Sequence, residues 1–402
     1  MIQTKVTTVP RVVEQPALEA VIEKLDKLVP DAYQPAQMIQ KMEGACVVKA
    51  ARDTTSMVLL GLLAGFFIGL GAVFCTLVTT ETGLGFGLGR LLGGLSFSLG
   101  LILVVVGGAE LFTGNCLMVA PCMSARVSGL QLLRNWVIVY SSNLVGALIL
   151  VAVIFYAQFW ALGGYEVGAN ALMIANAKVN LAFVPALCRG IMCNILVCLA
   201  IWLCFAARSV TSKIMAILFP ITAFVACGFE HSIANMFFIP MGMAVAGQAE
   251  VVQAAGVSAA QIGNLTTLGF VNNLVPVTIG NTIGGSLVGV VYWLVFLRKE
   301  RAAELFTNSW LRRFTSVKTQ PQQALDAGTK ALISVLAKAR DDATFLARLS
   351  ENPDKALEGY TLTNEAKAAL ASGDVNWLES RVGFLDEPLR IWLTSRLSQE
   401  KW

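Results

Sequence analysis

The stretch that decides the fold reads Ile217-Leu-Phe-Pro-Ile-Thr-Ala-Phe-Val-Ala-Cys-Gly-Phe-Glu-His-Ser-Ile-Ala-Asn235. It is apolar and long enough to cross a bilayer, yet it holds Glu230 and His231, the only histidine of the chain. An ionisable side chain near the bilayer centre costs roughly 2.5–3.5 kcal/mol, so such residues usually face a cavity or a pathway. Because histidine changes its charge near neutral pH, the pair predicts a transport pathway with a proton-active group.

The chain as a whole has the composition of a polytopic membrane protein. Hydrophobic residues make up 56% and charged residues 14%, whereas soluble domains carry about 25% charged residues. Two apolar pieces, Cys116–Met123 and Met236–Ala246, are too short to span alone and follow polar interruptions, which predicts that they are second halves of broken helices. The predicted spans are Ser56–Val78, Arg90–Leu111, Trp136–Gln158, Ala182–Ala207, Ile214–Phe229 and Leu268–Leu297.

Two matched motifs reveal an internal repeat. Gly108-Ala-Glu-Leu-Phe-Thr-Gly-Asn115 matches Gly228-Phe-Glu-His-Ser-Ile-Ala-Asn235, and the spacing of Asn135, Asn143 and Gly146 returns in Asn273, Asn281 and Gly284. Three spans per repeat is an odd number, so the halves must have opposite topology. Inverted repeats with broken helices are typical of a pathway at the repeat interface. We expect Glu110 and Glu230 to cap loop N–H groups or orient neighbours. The residues expected to hold the loop backbone are Asn115, Asn143, Asn235 and Asn281.

Basic residues set the expected orientation and domain limits. The links after spans two and four carry Arg126, Arg134, Arg208 and Lys213, which predicts that they and both termini are cytoplasmic. Further basic residues follow the last span, namely Arg298, Lys299, Arg301, Arg312 and Arg313. We expect a cytoplasmic N-terminal helical segment over 1–52, with an amphipathic run over 35–49, a membrane transport domain over 53–300, and a small cytoplasmic helical domain over 301–402. We expect no secretory signal peptide, because Met1–Pro10 contains no apolar core followed by a small-residue cleavage site.

These motifs closely resemble the formate/nitrite transporter family over roughly residues 35–300. The resemblance is carried by Gly107–Asn115, by Gly228–Pro240 and by Asn273–Gly285, and it extends to Lys178–Asn180 and Asn194–Trp202. The family implies an all-α, six-span, aquaporin-like protomer with two broken helices, assembled as a homopentamer with one pore per protomer. It also implies a first helix that gates the cytoplasmic mouth.

The resemblance also implies roles for individual residues. Thr113 and His231 would face each other at the pore centre, with Asn235 beside them and Lys178 behind the histidine on the outer side. Loop support would come from Glu110, Asn115, Glu230, Asn194 and Asn281. Apolar constrictions would come from Phe97, Leu101, Leu111, Phe112, Val197 and Phe224.

A bare anion crossing an apolar constriction loses its hydration at a large free-energy cost, whereas the neutral acid loses much less. Lys178 and the loop N–H groups would draw the anion inward. His231 would then donate a proton or a strong hydrogen bond, which gives passage as the acid or net symport of anion and proton. The expected partners are a small monovalent anion, with formate favoured over nitrite and hydrosulfide, the bilayer of the cytoplasmic membrane, and further copies of the chain. Nucleic acid is not expected.

Residues 302–402 carry a second, looser resemblance. The stretch from Phe345 through Asn352–Leu357 and Tyr360–Glu365 to Ala369–Asp374 is similar to the small helical subunit of ring-opening extradiol dioxygenases. The segment contains neither histidine nor cysteine, so the usual iron ligands are absent. We expect a docking or regulatory role toward an unknown cytoplasmic partner.

Two other classes of function compete with a transporter. A membrane sensor would use the C-terminal domain to report anion occupancy. A membrane enzyme is not expected, because the sequence lacks metal-ligand spacings, nucleophile–base pairs and cofactor motifs, and we expect neither a cofactor nor a metal. The nine cysteines fall between Cys46 and Cys227, mostly inside apolar spans. The spacing of Cys188, Cys193, Cys198 and Cys204 on one predicted helix fits neither a zinc site nor a pairing framework, so we expect small buried hydrophobes there.

Overall fold

The computed structural model describes residues 32–299, 327–342, 345, 348–349, 352–372 and 374–382. The chain divides into two compact units, Met1–Thr307 and Asn308–Trp402. The described residues are helical and contain no strand. Most of the polar N-terminal segment and the basic residues Arg301, Arg312 and Arg313 lie outside the described residues.

The first unit is a sequence of helices with two interruptions. Its helices are α1 (Pro35–Ala51), α2 (Thr54–Val78), α3 (Gly85–Gly107), α4 (Phe112–Met123), α5 (Gly129–Tyr156), α6 (Glu166–Val179), α7 (Phe183–Ala206), α8 (Val210–Ala226), α9 (Ser232–Val245), α10 (Ala249–Ala254) and α11 (Thr267–Tyr292), which a π-helical turn extends over Trp293–Leu297. Within α4, Cys116–Met118 form a 3-10 turn.

Five of the described helices are long and apolar enough to cross a membrane: α2, α3, α5, α7 and α11 with its π-helical extension. The apolar helix α8 has 17 residues and is shorter, so α8 and α9 together supply the sixth crossing. The chain is therefore a multi-pass, all-α membrane protein, which confirms the predicted fold class. Large apolar side chains such as Leu59, Phe74 and Phe219 lie exposed on its outside, as a lipid-facing or subunit-facing surface requires.

The second halves of the broken helices begin earlier than the sequence predicts. We expected them to start at Cys116 and Met236, but α4 begins at Phe112 and α9 at Ser232. Their first turns are polar and still helical, because the polar side chains of Thr113 and the asparagines that follow find hydrogen-bond partners inside the protein. A prediction from hydropathy alone assigns such a polar turn to a loop.

The two repeats are packed by matched glycines. A Cβ on Gly146 of α5 would lie 2.0 Å from the Leu62 carbonyl oxygen of α2, and a Cβ on Gly284 of α11 would lie 2.2 Å from the Ile191 carbonyl oxygen of α7. No side chain fits at such distances, so both helix pairs cross with their backbones in contact. The glycines thus fix the same close crossing in both halves.

Helix α1 is docked rather than free. Met38, Ile39, Met42 and Cys46 are buried in one cluster with residues of α4, α7 and the π-helical turn. The fully buried Glu43 of α1 accepts a 2.8 Å hydrogen bond from Arg126, which follows α4. One face of α1 therefore closes over the end of α4 and carries Lys49 toward the first break.

The second unit has a hydrophobic core of its own. Its described helices are α12 (Ala327–Asp341), α13 (Pro353–Ala356), α14 (Asn364–Ser372) and α15 (Val375–Val382). Apolar residues from all of its described segments meet in that core, including Leu332, Val335, Leu336, Phe345, Leu349, Leu357, Leu370 and Leu378. This core gives residues 327–382 the packing of a small helical domain.

Candidate functional site

A left-handed glycine ends each first half-helix. Gly108 after α3 has φ +80° and Gly228 after α8 has φ +72°, a conformation that glycine adopts without steric cost. The chain then runs extended through Leu111 and His231, which are the N-cap residues of α4 and α9. Both breaks therefore have the same shape, and each turns the N-terminus of a second half-helix toward the other.

Thr113 and His231 meet between the two breaks. The Thr113 Oγ1 atom lies 3.0 Å from His231 Nε2, and both side chains are buried. His231 Nδ1 accepts a 3.0 Å hydrogen bond from the Ala234 backbone N–H and so caps α9. Because a backbone N–H can only donate, Nδ1 carries no proton, and the neutral ring has its proton on Nε2, which donates to Thr113. The Thr113 hydroxyl proton is then available for a third group.

The same arrangement restricts a second proton on His231. An imidazolium carries hydrogen on both ring nitrogens, so it would lose the bond from Ala234 N–H and uncap α9. The loss of an N-cap costs about 1 kcal/mol. The geometry therefore holds His231 as a neutral hydrogen-bond donor, and charging it requires a local rearrangement at the start of α9.

Two asparagines hold the loop backbone. Asn143 of α5 donates to the Gly61 and Glu110 carbonyls and accepts from Phe112 N–H, all within 3.0 Å. Asn281 of α11 repeats this with the Gly190 and Glu230 carbonyls and Ser232 N–H, at 2.8–2.9 Å. The predicted residues Asn143 and Asn281 thus lie at equivalent places. Asn194 joins the halves, since its Nδ2 donates to the Thr113 and Asn281 carbonyls at 3.1 and 2.6 Å.

The carboxylates of the repeat form two buried clusters. In the second repeat, Lys178 of α6 donates to both oxygens of Glu230 at 3.0 and 3.1 Å. Asn235 donates to Glu230 and to Asn273 at 2.7 Å each. Lys178 therefore lies against Glu230, and Asn235 braces the carboxylate. Neither carboxylate receives a loop N–H in the described hydrogen bonds.

The first repeat has the mirror cluster, which includes a lysine that the motifs did not indicate. Lys49 of α1 donates to Glu110 at 3.1 Å and to Asn115 at 2.9 Å. Asn115 donates to Glu110 at 2.7 Å and to Asn135 at 2.9 Å. Lys49 precedes the start of α2 by the same interval as Lys178 precedes the start of α7. That spacing was the signal available in the sequence.

The predicted constriction residues all lie in the buried core beside the two breaks, namely Phe97, Leu101, Leu111, Phe112, Val197 and Phe224. The rings of Phe97 and Phe224 meet edge to face with centroids 5.6 Å apart, and Phe224 stacks on the His231 ring at 5.9 Å. Phe238, which the motifs did not indicate, stacks on Phe97 at 6.3 Å, and the Lys178 ammonium lies 5.4 Å from its centroid. These aromatic rings therefore line the inner end of a cavity on the Lys178 side, next to His231.

That cavity has a volume of about 590 Å³ and reaches from the protein surface to His231, Glu230 and Asn235. We call it the Lys178 vestibule. Its cationic lining residues are Arg90, Lys178 and Arg189, and Glu230 is the carboxylate among its lining residues. The vestibule thus leads a small molecule from the surface to the Thr113–His231 pair through a positively charged space.

Residues 36–294 match the family model described as formate/nitrite transporter. The chain belongs to the formate/nitrite transporter family. The formate channel FocA of Escherichia coli K12 is 43% identical over 274 residues, which cover 67% of this chain and 96% of that protein. A probable formate transporter of Methanothermobacter thermautotrophicus is 38% identical over 283 residues, covering 66% and 97%. A solved structure, a pentameric formate channel with formate bound, is 42% identical and covers 61% of this chain and 98% of its own, with a TM-score of 0.56.

Membership of this transporter family confirms the predicted family resemblance. The matched family region ends at residue 294, so α12 to α15 lie beyond it. Among the residues that the structure describes, no three histidine, cysteine, aspartate or glutamate side chains are grouped as a metal site. The site consists of the Thr113–His231 pair, the two Glu–Asn–Lys clusters and the aromatic rings beside His231.

Proposed function

We propose that the chain is a homopentameric channel that conducts small monovalent anions, formate first, through one pore in each protomer. The observation that carries the proposal is the Thr113–His231 hydrogen bond, buried between two helix breaks of matched geometry. The relatives named as formate channels, and the pentameric channel solved with formate bound, support the substrate and the assembly. Nitrite and hydrosulfide are the alternatives.

The electrostatics of the two ends support an anionic cargo. Lys49 and Lys178 are each tied to one carboxylate, so each end presents a nearly neutral cluster next to additional cations. Arg52 lies 3.7 Å from Glu110, and Arg90 and Arg189 line the Lys178 vestibule. Both mouths therefore attract an anion without trapping it beside a fully exposed lysine.

At the centre, the anion exchanges water for protein donors. The Thr113 hydroxyl, which accepts from His231 Nε2–H, donates a hydrogen bond to an incoming carboxylate oxygen and keeps its proton. The surrounding apolar rings penalise the charged form, which favours passage as the neutral acid. A proton that arrives with the anion is taken up at His231 only when Ala234 N–H is released, so we propose a transient relay.

We further propose that both termini lie in the cytoplasm and that the Lys178 vestibule opens to the outside of the cytoplasmic membrane. The charge bias of the links supports this orientation. Arg126 lies between α4 and α5 and Arg208 between α7 and α8. Arg134 and Lys213 lie near the starts of α5 and α8. The docked α1 would then cover the cytoplasmic mouth as a gate, and no catalytic activity is assigned to the chain.

Flux in proteoliposomes tests the proposal. Formate and nitrite uptake would be followed with a pH dye in the lumen, for the wild type, His231→Asn and the exposed amide control Asn180→Ala. We expect wild-type formate uptake with proton co-movement, loss of that co-movement in His231→Asn, and no change in the control. Uptake unchanged in His231→Asn across pH 5–8 would contradict the relay, and the absence of formate and nitrite uptake by the wild type would contradict the channel.

The separate core of α12 to α15 supports a docking or regulatory role for the C-terminal unit. Removing residues 302–402 separates a channel with an appended domain from a sensor. A channel should keep its formate flux after the removal. If the shortened protein is still folded and pentameric but has lost formate flux, the C-terminal unit takes part in transport.

A further inference from the structure

The Lys178 vestibule is much larger than a one-carbon anion needs. Its volume of about 590 Å³ lies within the range of about 300–1,000 Å³ that is usual for drug-sized ligands. A small ion would remain largely hydrated in this space. The cavity therefore has room for a molecule that extends well beyond a carboxylate.

One cation in the vestibule is not engaged. Lys178 is paired with Glu230, and Arg90 donates through Nε and Nη2 to the Ala226 and Val225 carbonyls at 2.9 Å. Across the described part of the chain, no hydrogen bond or ion pair occupies the guanidinium of Arg189, which is exposed and lines the same cavity. A free guanidinium matches a carboxylate with two parallel N–H donors.

The vestibule also offers apolar surface next to this charge. Phe86 is 85% exposed and Met173 is 43% exposed on its lining, which leaves both side chains without an apolar cover. At the inner end, the edge-to-face contact of Phe97 with Phe224 leaves no room for another ring between them. An apolar tail could therefore bind here but could not follow a small anion into the pore.

We propose that the Lys178 vestibule is a binding site for monocarboxylates with an aromatic or long alkyl tail. The Arg189 guanidinium holds the carboxylate, Phe86 and Met173 contact the tail, and the bound molecule occludes the pore. The binding part stands on the cavity alone, whereas the occlusion part rests on the proposed function as an anion channel.

Direct binding to the detergent-solubilised full chain tests the site. The probe is 4-phenylbutyrate, its neutral amide 4-phenylbutyramide corrects for apolar partitioning, and acetate is the probe without a tail. Isothermal titration should give saturable binding of the acid to the wild type and about tenfold weaker binding to Arg189→Gln, because a charge-assisted bidentate contact is lost. Lys213→Gln, which removes a positive charge in the first turn of α8, outside the lining of the vestibule, should bind as the wild type does.

Two further variants keep the outcome interpretable. Arg189→Lys retains the charge without the planar fork and should lie between the wild type and Arg189→Gln. Phe86→Ala should weaken 4-phenylbutyrate several-fold and leave acetate unchanged. Equal binding of acid and amide to the wild type, or equal binding of the acid to wild type and Arg189→Gln, would overturn the proposal.

Formate flux measured in the same preparations separates this proposal from the channel itself. With both correct, 4-phenylbutyrate raises the apparent KM for formate in the wild type, and Arg189→Gln relieves that inhibition. Formate flux in a wild type that does not bind the acid would refute this site and leave the channel standing. If the wild type binds 4-phenylbutyrate but passes no formate, the binding site is supported. The anion channel, and with it the occlusion of its pore, is then refuted.

Discussion

Replacing Asn281 by alanine should destabilise the protein more than any exposed amide replacement. The substitution removes two donated bonds, to Gly190 and Glu230, and one accepted bond from Ser232 N–H. Asn281 is fully buried, so water does not easily replace these partners. Each buried backbone group left without a partner costs about 1–3 kcal/mol, so the three groups together cost about 3 kcal/mol or more.

The mirror residue supplies a second measurement of the same quantity. Asn143→Ala removes the equivalent three bonds, including the one from Phe112 N–H, and should cost a similar free energy. Thermal unfolding in detergent, followed with a thiol-reactive fluorophore that reports exposure of the buried cysteines, should show both variants melting about 6 °C or more below the wild type. Formate flux should fall in both, because the loops that hold Thr113 and His231 lose their support.

The control for both variants is Asn180→Ala. Asn180 is exposed, and water can take over its contacts, so its melting temperature should stay with the wild type. If either buried variant melts with the wild type, or if Asn180→Ala melts as low as they do, hydrogen bonding by Asn143 and Asn281 does not hold the breaks.

Gly146→Ala should lower the melting temperature and Gly87→Ala should not, because a Cβ meets the α2 backbone at 2.0 Å in the first case and nothing within 4 Å in the second. Burial raises the pKa of Cys46 to about 12, so maleimide labelling at pH 7.5, read by mass spectrometry, should spare it while α1 is docked and should modify the control Val48→Cys on the exposed side. Labelling of Cys46 should rise when α1 leaves its docked position, and equal labelling of Cys46 and Val48→Cys would show that α1 is undocked. Thr113→Val should lower formate flux about tenfold or more, whereas Thr113→Ser should keep it, and equal flux in both would mean that the hydroxyl is not used.

The motifs allowed much of the site to be predicted because the repeat is local. Gly108 and Gly228 end helices in the same way, and the Glu and Asn that follow each glycine keep the same spacing, so one motif predicted the position of the other. The constriction residues and Lys178 came from the family resemblance. The fold class followed from the length and apolar character of the spans, which composition alone indicates.

The features that could not be predicted from the sequence depend on contacts between segments that are distant along the chain. Lys49 lies in an amphipathic helix that hydropathy excludes from the membrane spans. Its contact with Glu110 forms only because α1 packs against α4. The polar first turn of α4 was predicted to be a loop. It is helical because Asn115 donates to Asn135 on α5, a contact that the sequence does not show. Phe238 was missed because an aromatic residue in an apolar helix carries no signal of facing the pore.

The correspondence between Lys49 of α1 and Lys178 of α6 has a consequence for the direction in which anions move. The central residues are braced at each end by a Lys–Glu–Asn cluster. Lys49, Glu110 and Asn115 at one end correspond to Lys178, Glu230 and Asn235 at the other. An anion therefore passes a Lys–Glu–Asn cluster whichever mouth it enters, although the Lys178 vestibule and the docked α1 make the two approaches different. Net import or export is then set by the gradients of anion and proton across the bilayer, so that reversing them reverses the flux through the same pore.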